Sequence, residues 1–284
     1  MSGSLHFEAP TVLDYFASLV ADDDTLPVLE AAVAVAQDEL PGLDVQGVLA
    51  QIDGLAERLR RRLPADAAPL HRLRLLNRYF FHELGFAGNV NDYYAAGNSY
   101  LPMVLQTRRG IPLTLALLYV ELATQAGLSA QGVSFPGHFL VKLRLPRGEV
   151  VIDPFNGQSL SREDLDERLQ PLRARHGLPD DDEVPLGLFL QAAPAREMVA
   201  RLLRNLCEIH RQAGDLARQA AVLRRLVILL PDDWEQRREL ALVLAALGRH
   251  ALAAEELAAY LAHRPAAADA AAMRRQLAAW RRLQ

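Results

Sequence analysis

The sequence predicts an α+β core preceded by helices and followed by an all-α tail, and three features carry that prediction. Residues 11–84 repeat apolar positions at intervals of three and four, the helical period. Residues 129–153 change to short β-branched and aromatic runs broken by a turn signal. The last third of the chain repeats itself every 34 residues.

Taken in order, "TVLDYFASLVA", "TLPVLEAAVAVAQDEL", "DVQGVLAQIDGLAERLRRRL" and "LHRLRLLNRYFFHELGF" read as helices separated by Asp, Pro and Gly. The arginines from Arg58 to Arg62 read as the solvated face and last turn of a helix, where cations complement the dipole, rather than as a nucleic-acid patch. Residues 85–100, "GFAGNVNDYYAAGNSY", hold three of the six asparagines, three of the seven tyrosines and three glycines. That composition predicts a structured loop of the kind that lines a site.

Gly110-Ile111-Pro112 then opens a helix to about Gln125, stopped by Gly127, with proline suited to the first turn because its missing N–H has no partner to lose there. "SAQGVSF", "HFLVKLRL" and "EVVID" are strands, the last two joined into a hairpin by "PRG". "SREDLDERL" is a helix capped by Ser161 with Asp164 three residues on, and "LPDDDEVPLG" reads as an exposed acidic connection rather than a cation site.

In the tail Leu206 recurs as Leu240, Gly214 as Gly248, Ala217 as Ala251, Ala220 as Ala254, Leu223 as Leu257 and Pro231 as Pro265. Val227 is matched by Leu261 at the same distance. Thirty-four residues is the tetratricopeptide period, with glycine in the turn between paired helices, small alanines allowing close packing and proline ending the second helix. Two repeats, about 198–231 and 232–265, precede a capping helix at 266–284, and Asp232 and Asp233 offer N-cap chemistry to the second repeat. The domains expected are therefore 1–190, with a core of about 85–165, and 191–284.

Composition bounds the function. Thirty-one basic against 35 acidic residues give a net charge of −4 and a pI near 6.1, which offers no general attraction to nucleic acid or to an anionic membrane. No apolar run is long enough to span a bilayer and the first residues lack a secretory pattern, so the expected location is the cytoplasm. Lys142 is the only lysine among many arginines, which suits a GC-rich bacterial genome. The single cysteine, Cys207, excludes an internal disulfide, and the eight histidines show no ligand spacing, so no metal and no cofactor is expected.

The chemistry-bearing pattern is a helix start followed by His138, 26 residues after Pro112, and Asp153, 41 after it. Some cysteine enzymes present nucleophile, histidine and aspartate in that order, with a thiolate at a helix N-terminus, an imidazole paired to it and a carboxylate orienting the imidazole. "GHFLV" and "IDPF" resemble the transglutaminase-like branch of the papain-type cysteine enzymes. More closely, "NDYYAAGNSYLPMVLQTRRGIPLTLALLYVELATQAGL", "VSFPGHFLVKL" and "IDPFNG", with repeats behind them, resemble the bacterial SirB-one family, whose name comes from a link to regulation of invasion genes. The resemblance implies a transglutaminase-like domain and a helical-repeat tail. It carries the superfamily's histidine onto His138, its aspartate onto Asp153 and its cysteine onto Pro112.

The other candidate nucleophiles also fit ordinary roles. Cys207, in "RLLRNLCEIH", fits a small buried residue. Thr114, two residues past the proline, is the best hydroxyl, with Ser99 behind it, although threonine in a first helical turn commonly bonds only to backbone. Asn98, Tyr100, Arg108, Arg109, Phe135, Phe155 and Asn156 are the residues expected around the groove, as binding surface or as scaffold. The leading expectation is a non-catalytic interaction or regulatory protein whose repeats bind a protein or peptide, with no nucleic acid and no membrane. The alternative is an amide hydrolase or acyl transferase using Thr114 with His138 and Asp153.

Overall fold

The structure, a computed structural model, describes residues 10–176 and 185–283. The acidic run of "LPDDDEVPLG" lies outside the described residues. Two N-terminal helices come first, α1 (Val12–Leu19) and α2 (Val28–Ala34), the second extended by a 3-10 turn over Val35–Asp38. Thr11 caps α1 in a reciprocal box with Asp14, satisfying two amide donors that the helix start leaves open.

Helix α3 (Val45–Arg60) starts at Asp44, whose carboxylate accepts from the Gly47 amide at 2.9 Å. Around its C-terminal end Arg60 and Arg61 pair with Glu57, and Arg62 pairs with Glu83. Helix α4 (Pro69–Asn77) continues as a π-helical turn over Arg78–Glu83. Two-residue strands β1 (Ala87–Gly88) and β2 (Arg109–Gly110) pair in parallel around α5 (Leu101–Thr107), which tethers the 85–100 loop to the entrance of α6 (Pro112–Gln125).

The antiparallel sheet runs in the order β3 (Ser129–Val133), β4 (Leu140–Leu145), β5 (Gly148–Ile152) and β6 (Ser159–Leu160). The β4–β5 hairpin pairs Leu145 with Gly148, whose φ of 137° only glycine adopts without strain. Helix α7 (Arg162–His176) begins with the expected box, the Asp164 amide donating to Ser161 Oγ at 3.1 Å and the Ser161 amide to Asp164 Oδ2 at 2.8 Å. Its Leu165 and Leu169 pack with Val133, Phe135, Leu140 and Val151 into one apolar cluster, joined by Leu186 of the short helix α8 (Leu186–Phe189). Residues 44–198 form one compact unit.

The tail is α9 (Ala195–Gln212), α10 (Leu216–Leu229), α11 (Trp234–Ala246), α12 (His250–His263) and α13 (Ala270–Arg281). Gly214 and Gly248 sit in the two interhelical turns at φ 68° and 73°, the left-handed region that explains a glycine at each. Leu206, Leu240, Ala220, Ala254, Leu223 and Leu257 are buried, as the repeat requires, while Ala217 and Ala251 are exposed. Asp233 precedes α11 without a side-chain cap bond and lies 3.7 Å from Arg204 instead. Trp234 stacks flat on His263, ring centres 3.7 Å apart.

The sequence reading groups residues 1–190 in one domain, and the packing divides the chain differently. The described residues up to Leu43 cluster with those from Val199 onwards. Phe16 is fully buried beneath the Arg225 guanidinium of α10, Arg225 is ion-paired with Asp38, and Arg218 grips Glu39 through two bonds of 2.6 and 3.0 Å. An amphipathic helix shows which face it must bury but not against which neighbour, so this grouping is invisible in the periodicity. No helix among the described residues is long and apolar enough to cross a membrane.

Candidate functional site

Residues on four elements build the site. His138 occupies the turn before β4, its amide donating to the Phe135 carbonyl at 3.0 Å, so the strand begins at Leu140 rather than at the histidine. Asp153 follows β5 directly. The register pairs Val141 with Ile152, which brings the two residues to the same end of the hairpin, and His138 Nε2 stands 2.8 Å from Asp153 Oδ1.

The Asp153 side chain is 4% exposed. Its Oδ1 also accepts from the Phe155 amide at 3.0 Å, and its Oδ2 accepts from Arg168 Nη1 at 2.9 Å. Burial alone would push its pKa up, yet the bond and charge of His138, with the hydrogen bonds from Arg168 and the Phe155 amide, outweigh it and hold the carboxyl below its ordinary value. Ionised Asp153 can only accept, so Nε2 of His138 carries the proton.

Pro112, onto which the resemblance carries the superfamily's nucleophile, is buried at the first position of α6. Thr114 lies two positions further on. Its hydroxyl, fully buried, donates to the Asn98 carbonyl at 2.8 Å and is 3.1 Å from that of Ile111. A proton shared between backbone acceptors is not handed to an imidazole, and a buried oxygen meets no substrate. Gly110 makes room for this, since a Cβ there would stand 2.7 Å from Thr114 Oγ1. Ser99 is likewise fully buried. Cys207 is buried in α9, where desolvation first, and then the charge of Glu239, push its thiol up to about 11. Such a thiol is inert near neutral pH.

The expected groove residues separate. Asn98 is a scaffold: its amide donates to the carbonyls of Asp92 and Tyr93 and its oxygen accepts from Asn89. Tyr100 is buried at the start of α5. Arg109 binds the carbonyls of Gly85 and Arg108. Arg108, in the left-handed region at φ 59°, lays its guanidinium 4.7 Å from the centre of the Phe86 ring. Phe135, 1% exposed, belongs to the apolar cluster and has no surface to offer a ligand. Asn156 is exposed, its oxygen accepting from the Gln158 amide.

Phe155 stays beside the dyad, its ring 6.4 Å from that of His138 and 5.9 Å from that of Tyr93. It lies so close on Gly88 that a Cβ there would be 2.1 Å from the ring, which accounts for the glycine. Tyr93, Tyr94 and Val90 are exposed apolar residues of the same loop. Arg168, which sequence reasoning missed, had one signal: with Leu165, Leu169 and Leu172 it shares the helical stripe that faces the core. Among the described residues no group of three or more His, Cys, Asp or Glu is arranged to hold a metal ion.

The chain belongs to the transglutaminase-like superfamily, whose model matches residues 46–204, and a tetratricopeptide-repeat model matches residues 206–278. It is 37% identical over 241 residues to a UPF0162 protein of Xylella fastidiosa strain 9a5c, covering 84% of this chain and 85% of that one. The UPF0162 protein PA3419 of Pseudomonas aeruginosa is 34% identical over 188 residues, 66% of each chain. F-box only protein 21 of Homo sapiens is 31% identical over 148 residues, 44% of this chain and 24% of that protein. No solved structure matches the chain.

Proposed function

We propose that this chain is a non-catalytic interaction or regulatory protein of the SirB-one group, acting in the cytoplasm, in which a transglutaminase-like domain without its nucleophile accompanies a repeat unit that binds a protein or peptide. The observation that carries the reading is a Thr114 hydroxyl already committed to backbone, next to a buried Pro112 at the place onto which the resemblance carries the superfamily's cysteine. His138 and Asp153 then serve to hold the hairpin end and the site's shape. The Thr114 hydrolase loses its support, because that hydroxyl is neither exposed nor bonded to His138.

For the repeats, the candidate contact surface is a concavity of about 210 Å³ lined by Arg204, Cys207, Glu208 and Arg211 of α9, Leu226 of α10 and Gln236 and Glu239 of α11. Deleting the tail would strip Phe16 and Asp38 of their partners, so point substitutions are the cleaner test. Tagged full-length protein and its Arg204→Ala/Glu208→Ala/Gln236→Ala variant would be compared by quantitative mass spectrometry of cross-linked partners. Loss of tenfold or more in specific partners is expected, equivalent to about 1.4 kcal/mol. Equal recovery by both proteins would remove the repeats as the docking surface.

A further inference from the structure

Asp153 has two oxygens and each faces a different element. Oδ1 meets His138 and the Phe155 amide, and Oδ2 meets Arg168. A carboxylate this buried has lost its hydration, so these bonds alone decide which way it points. Arg168 comes from α7 between Leu165 and Leu169, both buried in the apolar cluster, and the Ser161–Asp164 box fixes where the helix starts. The guanidinium is thus delivered by a packed helix rather than a loop. An ordinary surface ion pair has both partners in water and contributes little, whereas here the carboxylate is 4% exposed.

We infer that Arg168 is a positioning residue of the His138–Asp153 pair: by holding Oδ2 it keeps Oδ1 turned towards Nε2, fixes the imidazole as its Nε2–H tautomer and makes Nδ1 the proton-accepting nitrogen. The logic is that of an outer partner orienting a carboxylate that in turn orients a histidine. The charged groups concerned are Asp153 against the imidazole, Arg168 behind it, and Asp164, whose charge reaches Arg168 along α7. This inference is independent of the partner-binding reading, so either can fail alone.

The test is histidine-ring nitrogen–proton correlation spectroscopy on the full chain across pH, for the wild type, Arg168→Met and Arg168→Lys. In the wild type the neutral His138 ring is expected to carry its proton on Nε2. In Arg168→Met both tautomers should appear, because Oδ1 of Asp153 is no longer held against Nε2. Arg168→Lys should return the single Nε2–H tautomer, which a merely space-filling role would not require. A single Nε2–H tautomer in Arg168→Met would overturn the inference. Should that variant fail to fold, Nδ1–H in the wild type, or mixed tautomers in Arg168→Lys, would overturn it equally.

Discussion

Asp38→Ala is expected to destabilise the unit formed by the N-terminal helices and the repeats by about 3 kcal/mol or more, because it leaves the Arg225 charge buried without a counter-ion. Arg225 is 1% exposed, and burial pulls its pKa down to about 10. Its Nε and Nη2 have no partner among the described residues, so Asp38 carries most of the compensation for a costly group. Adding Arg225→Met to Asp38→Ala should recover most of the loss, since an apolar chain of similar length needs no partner. Hydrogen exchange at α1 and α10 would follow both variants. Protection in Asp38→Ala equal to wild type would show that the N-terminal helices are not held through this pair.

Phe135→Ala is expected to cost about 3–5 kcal/mol in the sheet-bearing unit, the range for deleting a fully buried aromatic ring. Phe135 bridges the turn before His138 and the cluster made by β3, β4, β5 and α7. The cavity left behind should also loosen the His138 turn, whose amide bonds to the Phe135 carbonyl. Denaturant unfolding monitored on residues of the sheet would measure it. A loss under about 1 kcal/mol would return Phe135 to the exposed, ligand-facing role that its place in the sequence suggested.

How much of this was legible in the sequence varies by element. The repeats were, because glycine and proline recurring at one period report turn geometry directly, and Gly214 and Gly248 take the conformation that their recurrence implies. The His138–Asp153 pair was legible as order along the chain, although its register was not. Bonding depends on which residues of β4 and β5 face one another, and Val141 opposite Ile152 is decided by the tight Leu145–Gly148 turn and the buried face together.

Arg168 was missed because an arginine in a strongly charged helix reads as surface. Only the phase of Leu165 and Leu169 reveals that it points inwards. That the N-terminal helices cluster with the repeats was not legible for a different reason. Periodicity specifies an apolar face, and Phe16 gives no hint that Arg225, more than 200 residues away, will cover it. Asn98 and Arg109 were expected around the groove, and their polar atoms serve backbone that an irregular loop cannot satisfy by itself.

The central claim is an acid–base pair kept without a nucleophile. Intact-mass spectrometry of the full chain after prolonged incubation with glutamine-containing peptides and with activated acyl esters tests it most directly, with peptide mapping of any adduct. The account predicts an unmodified Thr114 at every pH between 6 and 9, and no turnover above that of a His138→Ala variant. An acyl group mapped to Thr114 and lost in His138→Ala would contradict it, and would make the domain a hydroxyl-based enzyme.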